Sequence, residues 1–465
     1  MEMDLLNLSK IPADEILAGN FGIEWESLRV HSDGNLSLTP HPEVFGDKFT
    51  NPLVTTDFSE SQIEIITPAM GSIDEAFGVF SLLADVVNAS LPEDEYLWFQ
   101  SIPCILPDQD RIPIAQYSGD GEKSQKYREE LAKKYGLKKQ MISGVHFNFS
   151  FGDEALRKLY GMTDMNESFR YFRDEVYLKV ARNYLRYCWL IIYLTGCSVG
   201  CHRTFTRDCI RLMNSEDAAG SYYSTEGPSF RNASCGYKNL KELYPSYESV
   251  EEFTGDVQSF IDGGDLSEAK ELYTQIRLKP KDPSDVLKSL KDDGIEYVEI
   301  RTLDINPFYK CGLVSQDMKF LNLFLIYMLV KGESDYEDWQ REAHINEERV
   351  AERAYDEDMR LLRDGEEVTL KSWASDIINE MYGMCDVLGI DEEHTLNLMH
   401  NRIAEPELTY GKRLVKLIRQ RGYIATHTML SMNNKKTSRD FVENMDTDSD
   451  VYRKYVPAAL AGRDF

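Results

Sequence analysis

The stretch from Phe21 to Val30 reads FGIEWESLRV. Apolar and acidic residues take turns along it, and a β-strand is the regular element in which successive side chains point to opposite faces. Glu24 and Glu26 then share one sheet surface, while Ile23 and Trp25 lie on the other. Two carboxylates side by side on an otherwise apolar strand raise each other's pKa unless a cation neutralises them. The segment is therefore either one wall of a metal site or a solvated strand face with two surface glutamates. Acids or ligands on other strands would favour the metal site.

Three more segments alternate in the same way. In Asn51–Pro68, Glu60, Gln62 and Glu64 fall on one face with Ile63 and Ile65 opposite, and Asp57 lies just before them. In Ser143–Phe151, His146, Asn148 and Ser150 share a face, and Val145, Phe147 and Phe149 share the other. In Gly294–Pro307, Tyr297, Glu299 and Arg301 line up against Glu296, Val298 and Ile300. Glu299 and Arg301 could also simply pair with each other.

Helices separate these strands. Ser72–Glu75 is a capping box that opens an amphipathic helix running to about Asn88. Residues 123–135, carrying Tyr127 and Arg128, 166–195 and 319–330 also read as helical, 166–195 as a buried core helix and 319–330 as an apolar one. Asp33-Gly34-Asn35 is a turn signal, so the first strand is expected to fold back antiparallel. Residues 97–121 and 224–239 read as loops, the second carrying Arg231 and Tyr237. Beyond Gly332 the chain is charged and helical, with few strand signals. Strands followed by packed helices predict an α+β class, with residues 1–465 as one catalytic domain that is helix-rich from about 333 to 465.

Composition removes several classes of function. With 52 Lys plus Arg against 79 Asp plus Glu, the formal charge is −27, which disfavours nucleic acid and anionic membrane as partners. The N-terminus lacks a basic-then-apolar leader and no apolar run is long enough to span a bilayer, so a cytoplasmic protein is expected. The 8 cysteines are scattered, and Cys197–Cys201 has no second pair, so neither structural zinc nor a disulfide framework is expected. No phosphate-loop or dinucleotide fingerprint occurs; Gly121-Glu122-Lys123-Ser124 matches only the end of one.

Glu24, Glu26, Asp57, Glu64, His146 and Glu299 together offer carboxylates and one imidazole on strand faces or strand ends. Hard oxygen ligands in that number suit Mg²⁺ or Mn²⁺. Arg128, Arg231 and Arg301 are candidates to hold phosphate or a substrate carboxylate. That combination points to phosphoryl chemistry on ATP without a phosphate loop.

The segments GIEWESLRV, PLVTTDFSESQIEIITP, YREELAKKYG, MISGVHFNFSF, SFRNASCGY, ELYTQIR and GIEYVEIRTLDINPF occur in the order found in bacterial glutamate-cysteine ligase, also called γ-glutamylcysteine synthetase. SFRNASCGYKN most resembles the ligase half of bifunctional glutathione-synthesising enzymes. The likeness spans roughly residues 20–330, and the remaining length leaves no room for an ATP-grasp half, so a stand-alone first-step enzyme is expected. The resemblance implies a funnel-like, largely antiparallel sheet of glutamine synthetase type, surrounded by helices. It also implies an activity. The γ-carboxylate of L-glutamate attacks the γ-phosphate of ATP, and the amine of L-cysteine then displaces phosphate from γ-glutamyl phosphate.

Carried onto this chain, the resemblance makes Glu24, Glu26, Asp57, Glu64, His146 and Glu299 ligands of two or three Mg²⁺. Arg301 would neutralise the transferring phosphoryl group, with Glu299 and Glu24 beside it at the reaction centre. Tyr127, Arg231, Tyr237 and Tyr273 would surround the cysteine substrate, with Arg128 and Asn148 as further substrate-binding candidates. Trp25 departs from the family pattern but faces away from the metals by alternation, so altered packing alone is expected. Cys104 matches a cysteine that is disulfide-bonded in some members, but no cysteine lies between it and Cys188, which argues against that redox control. A monomer or homodimer is expected. Rival readings are a γ-glutamyl ligase for another amine, a metal-dependent phosphoesterase using the same acids, and a non-catalytic binding protein of this fold.

Overall fold

The alternating segments become neighbouring strands in a computed structural model of the chain, which describes residues 5–462. In chain order the strands are β1 (Gly19–His31), β2 (Val54–Thr56), β3 (Gln62–Ile66), β4 (Glu95–Leu97) and β5 (Val145–Phe151). They are followed by β6 (Gly200–His202), β7 (Ser215–Glu216), β8 (Ser221–Tyr223), β9 (Ile276–Lys279), β10 (Tyr297–Leu303), β11 (Arg360–Arg363) and β12 (Glu366–Thr369). The main sheet runs β2-β3-β1-β5-β10-β9, with β4 on β1, and β2 and β9 are unjoined edges, so the sheet is open. Its pairings are antiparallel. The expected α+β class with a largely antiparallel sheet among helices is what the chain forms.

Register places the site. Glu24 lies opposite His146, Glu26 opposite Glu64, and Glu299 opposite Asn148. Residues directly opposite in an antiparallel pair point to the same face. Four strands thus present their polar side chains to one surface of the sheet. Between Ile300 and Leu303 the β10–β5 register shifts, a bulge that falls at Arg301. Bulges bend a strand and re-aim a side chain, and this one sits beside His146.

The opposite face is core. Phe21, Ile23 and Trp25 are fully buried. As expected, Trp25 faces away from the acids, with its ring 5.9 Å from that of Phe80 and 5.3 Å from that of Phe99. Phe80 belongs to the helix Ile73–Ser90, which the Ser72 hydroxyl caps by accepting from Glu75 N–H. Each large side chain sealed in this way contributes roughly 1.5–3 kcal/mol.

Elsewhere the chain refines the sequence reading. The helix expected over 166–195 is two, Phe169–Tyr187 and Trp189–Thr195, joined through Cys188, which stays right-handed helical and still donates to Tyr184 O. The turn at Gly34 forms with φ +83°, but the return is a single bridge, Val30 to Leu36, and the neighbouring Asn35 bridges Ile105 instead. Among the described residues the C-terminal region is helical apart from the β11–β12 hairpin. Asp364 and Gly365 turn it with φ of 55° and 79°, the positive values a two-residue hairpin requires. The long helix Tyr423–Glu443 packs on Ile73–Ser90 and sends Lys435 to the carbonyls of Pro92 and Glu95.

The cysteine expectation is corrected. Cys209 and Cys235, 26 residues apart, form a disulfide. Folding of the 224–239 loop back over the helix Arg207–Leu212 brings them together, a non-local contact that no local spacing encodes. Cys104 is a free, buried thiol.

Candidate active site

One cavity of about 280 Å³ gathers nearly every residue singled out by alternation or resemblance. Glu24, Glu26, Asp57, Glu64, His146, Glu299 and Arg301 line it, together with Tyr127, Arg128, Arg231, Tyr237 and Tyr273. Asn148 stands apart from this wall: its amide donates to Glu24 Oε1 at 2.8 Å and so fixes that carboxylate. Glu60, on the same predicted face as Glu64, turns elsewhere, accepting from His41 N and Gln116 N and pairing with Lys48. The turn between Ser59 and Gln62 ends the alternation before Glu60.

Glu24, His146 and Glu299 each offer a donor atom within 4.8 Å of the others. His146 Nδ1 lies 3.3 Å from Glu24 Oε2, and its Nε2 lies 3.7 Å from Glu26 Oε1. Burial and the neighbouring Arg301 guanidinium push the His146 imidazole down to about 4, so it is neutral at physiological pH, the form that binds metal.

The carboxylates fall into two electrostatic groups. Burial penalises ionised Glu299, yet Lys279, Arg301 and Arg277 outweigh that penalty and hold its carboxyl well below the usual range. Partial burial also penalises ionised Glu24, yet the His146 hydrogen bond keeps its carboxyl low. In the second group burial outweighs the pull of Arg128, Arg231 and Arg301. Burial, then Asp57, pushes Glu26 up to about 8. Burial raises Asp57 against the pull of Arg128. Glu64 is driven well above the usual range by burial and by Asp57, Glu24 and Glu26. Among the described residues, no Lys or Arg nitrogen lies within 4 Å of a carboxylate oxygen of Glu26, Asp57 or Glu64. A hard divalent cation fits Glu24, His146 and Glu299, whose donor atoms converge, and the raised carboxyls of Glu26, Asp57 and Glu64 lining the same cavity would also be eased by positive charge.

The arginines are fixed by backbone. Arg128 donates to the carbonyls of Thr56, Asp57 and Ser124, which ties its helix, Glu122–Tyr135, to the loop bearing Asp57. Arg231 donates through Nε to Ser143 O at 3.1 Å and through Nη1 to Arg301 O. A Cβ on Gly144 would lie 2.1 Å from the Arg231 guanidinium, so glycine is what lets that side chain pass. The Gly144 amide also donates to Glu26 Oε2 at 3.0 Å. The rings of Tyr237 and Tyr273 pack tilted at 39° with centroids 4.2 Å apart, and the Tyr237 hydroxyl donates to Gln140 Oε1 at 3.3 Å.

Sequence reasoning did not single out Gln140, Lys270, Arg277 and Lys279, which also line the cavity. Arg277 and Lys279 alternate with Ile276 and Leu278 on β9, a signal only four residues long. Gln140 sits in a short turn, Lys139–Met141, without any periodicity to find it.

An open antiparallel sheet with a concave, acid-lined cavity walled on one side by arginine and tyrosine defines the class: an α+β protein suited to holding cations and anions together. The glutamate-cysteine ligase family model matches residues 5–265 and 258–350, and the chain belongs to this family. It is 39% identical over 432 residues to the glutathione biosynthesis bifunctional protein GshAB of Clostridium perfringens, covering 91% of this chain and 55% of that one. It is 35% identical over 400 residues to the glutamate–cysteine ligase of Clostridium acetobutylicum, covering 78% of this chain and 83% of the relative. The crystal structure of glutamate–cysteine ligase from Francisella tularensis in complex with AMP superposes with a TM-score of 0.87 at 25% identity, over 96% of this chain and 93% of that one. The chain spans about half the length of the bifunctional relatives it matches, 55% of the one from Clostridium perfringens. No helix among the described residues is long and apolar enough to cross a membrane.

Proposed function

We propose that this protein joins the γ-carboxylate of L-glutamate to the amine of L-cysteine at the expense of ATP, through γ-glutamyl phosphate. The observation that carries the reading is the convergence of acids from β1, β3, β10 and the loop after β2, with His146 of β5, on one cavity that also holds Arg231 and Arg301. Membership of the glutamate-cysteine ligase family supports the same chemistry. On this reading the whole chain works as one catalytic unit, its C-terminal helices bracing the helix behind the sheet.

Glu24, His146 and Glu299 would hold one Mg²⁺, and Glu26, Asp57 and Glu64 another. The bound ions would neutralise nucleotide phosphate charge and orient the γ-phosphate for in-line attack. Asn148 holds Glu24 in position for this by donating to it. Arg301, re-aimed by the bulge in β10 and sharing Glu299, faces the cavity where negative charge grows on the transferring group. The tilted pair Tyr237 and Tyr273, with Tyr127 also lining the cavity, would form an aromatic niche for a small amino acid. Arg231 at its edge would take that amino acid's carboxylate.

The test is ADP release with ATP, glutamate and a panel of acceptors: cysteine, 2-aminobutyrate and unrelated amines. Stimulation by cysteine above the other amines is expected. Another preferred amine would replace cysteine in this reading, and phosphate release without any amine would replace the ligase by a phosphoesterase.

A further inference from the structure

Glu299 attracts more positive charge than one carboxylate needs. Lys279 Nζ and Arg301 Nη1 both pair with it, and Arg277 Nη1 stands 3.6 Å from its Oε1. Arg277 and Lys279 are i and i+2 on β9 and so share a face; Arg277 lies directly opposite Glu299 in the register. Both keep part of their side chain open to the cavity, 19% for Arg277 and 25% for Lys279, whereas Glu299 keeps 1%. Arg277 Nε is buried without a hydrogen-bond partner, and its Nη2 is spent on Lys270 O. A donor left unsatisfied in such a place costs free energy until something accepts from it.

Counting charge identifies the missing partner. Three cationic side chains face Glu299, with Glu24 the other carboxylate acting on Lys279. A divalent ion on Glu24, His146 and Glu299 would add two more positive charges at the same spot. A single carboxylate brings too little negative charge to balance that sum, and a nucleotide polyphosphate brings enough.

We propose that Lys279 and Arg277 are binding residues for the nucleotide's phosphates, parked on Glu299 until a metal–nucleotide complex engages that carboxylate and releases them. The proposal rests on the ligase reading and deepens it by assigning the phosphate contacts to β9, apart from Arg231 at the amino-acid niche. Lys and Arg on one strand face can contact adjacent phosphate groups while Arg301 stays with the transferring one.

The experiment is direct binding of Mg²⁺·ADP and of adenosine, followed by fluorescence titration, to the full chain and to the single variants Lys279→Gln and Arg277→Gln, with thermal unfolding as the folding control. Two variants on different residues keep the test decisive if one fails to fold. The expected result is an ADP dissociation constant raised at least about 10-fold with adenosine affinity unchanged, and with KM for glutamate and for the amine little altered. Unchanged ADP affinity in a folded variant, equal weakening of adenosine, or an effect confined to glutamate KM would overturn the assignment. Wild-type protein that binds no nucleotide would overturn the ligase reading with it, whereas normal wild-type binding beside unaltered variants overturns this inference alone.

Discussion

Gly144→Ala adds a single methyl group, and the structure places that methyl 2.1 Å from Arg231 Nη2 and 2.4 Å from its Cζ. Gly144 is not among the residues with positive φ, so alanine suits its backbone and the effect is purely steric. To restore an ordinary contact of about 3.5 Å the guanidinium must retreat by roughly 1 Å or more. Arg231 is only 7% exposed and its Nε and Nη1 donate to the carbonyls of Ser143 and Arg301, so it cannot retreat without breaking them. Hydrogen bonds from a charged donor are worth about 1.5–3 kcal/mol each. If Arg231 takes the acceptor's carboxylate, displacement should remove ~2–4 kcal/mol of transition-state binding, roughly a 30- to 1,000-fold loss of kcat/KM. The assay is a double-mutant cycle on kcat/KM for the amine, with Arg231→Ala as the second change. Because the methyl acts through Arg231, the double variant should be no worse than Arg231→Ala alone, a coupling of about 2–4 kcal/mol. An active Gly144→Ala with unchanged amine KM, or losses that simply add, would contradict a steric path from Gly144 through Arg231.

Glu24→Gln and Arg301→Ala should each lower turnover by orders of magnitude while circular dichroism and the thermal midpoint stay near wild type; retained activity would remove their assigned roles. His427 is fully buried, and burial pushes its imidazole down to about 3, so the folded state excludes the proton that the unfolded chain accepts near 6.5. Its contribution is intact above about pH 6.5 and is lost as pH falls, by ~2 kcal/mol between pH 7 and 5. His427→Gln should shrink the pH 7-to-5 difference in urea stability by that amount, and an unchanged difference would contradict it. Replacing both Cys209 and Cys235 by serine opens a loop whose ends are 26 residues apart and should cost about 3–4 kcal/mol by chain entropy, read as a lower thermal midpoint than that of the oxidised protein.

The parts of this site legible in the sequence are those encoded by a local period. Alternation alone put Glu24 with Glu26 and His146 with Asn148, and set Trp25 on the far face, because strand geometry fixes which side each residue takes. It also put Glu299 with Arg301, although the bulge that aims Arg301 at His146 left no mark on the pattern. Which strands adjoin is a tertiary fact, so the Glu26–Glu64 and Glu24–His146 pairings rested on resemblance until the register was known. β9 escaped notice because four residues are too few for alternation to stand out, although its Arg277 and Lys279 carry much of the site's positive charge. The β11–β12 hairpin did carry a signal, Asp364-Gly365 between short apolar runs, which the surrounding helical charge pattern masked. Pairing of Cys209 with Cys235 had no local signal at all.

On the proposed function, acids from separate strands grip shared divalent cations beneath a nucleotide. Anomalous diffraction from crystals grown with Mn²⁺ and ADP tests it most directly. One manganese peak is expected among Glu24, His146 and Glu299 and another among Glu26, Asp57 and Glu64, with ADP phosphate oxygens beside them. A fully occupied ADP with no anomalous peak at these side chains would contradict it.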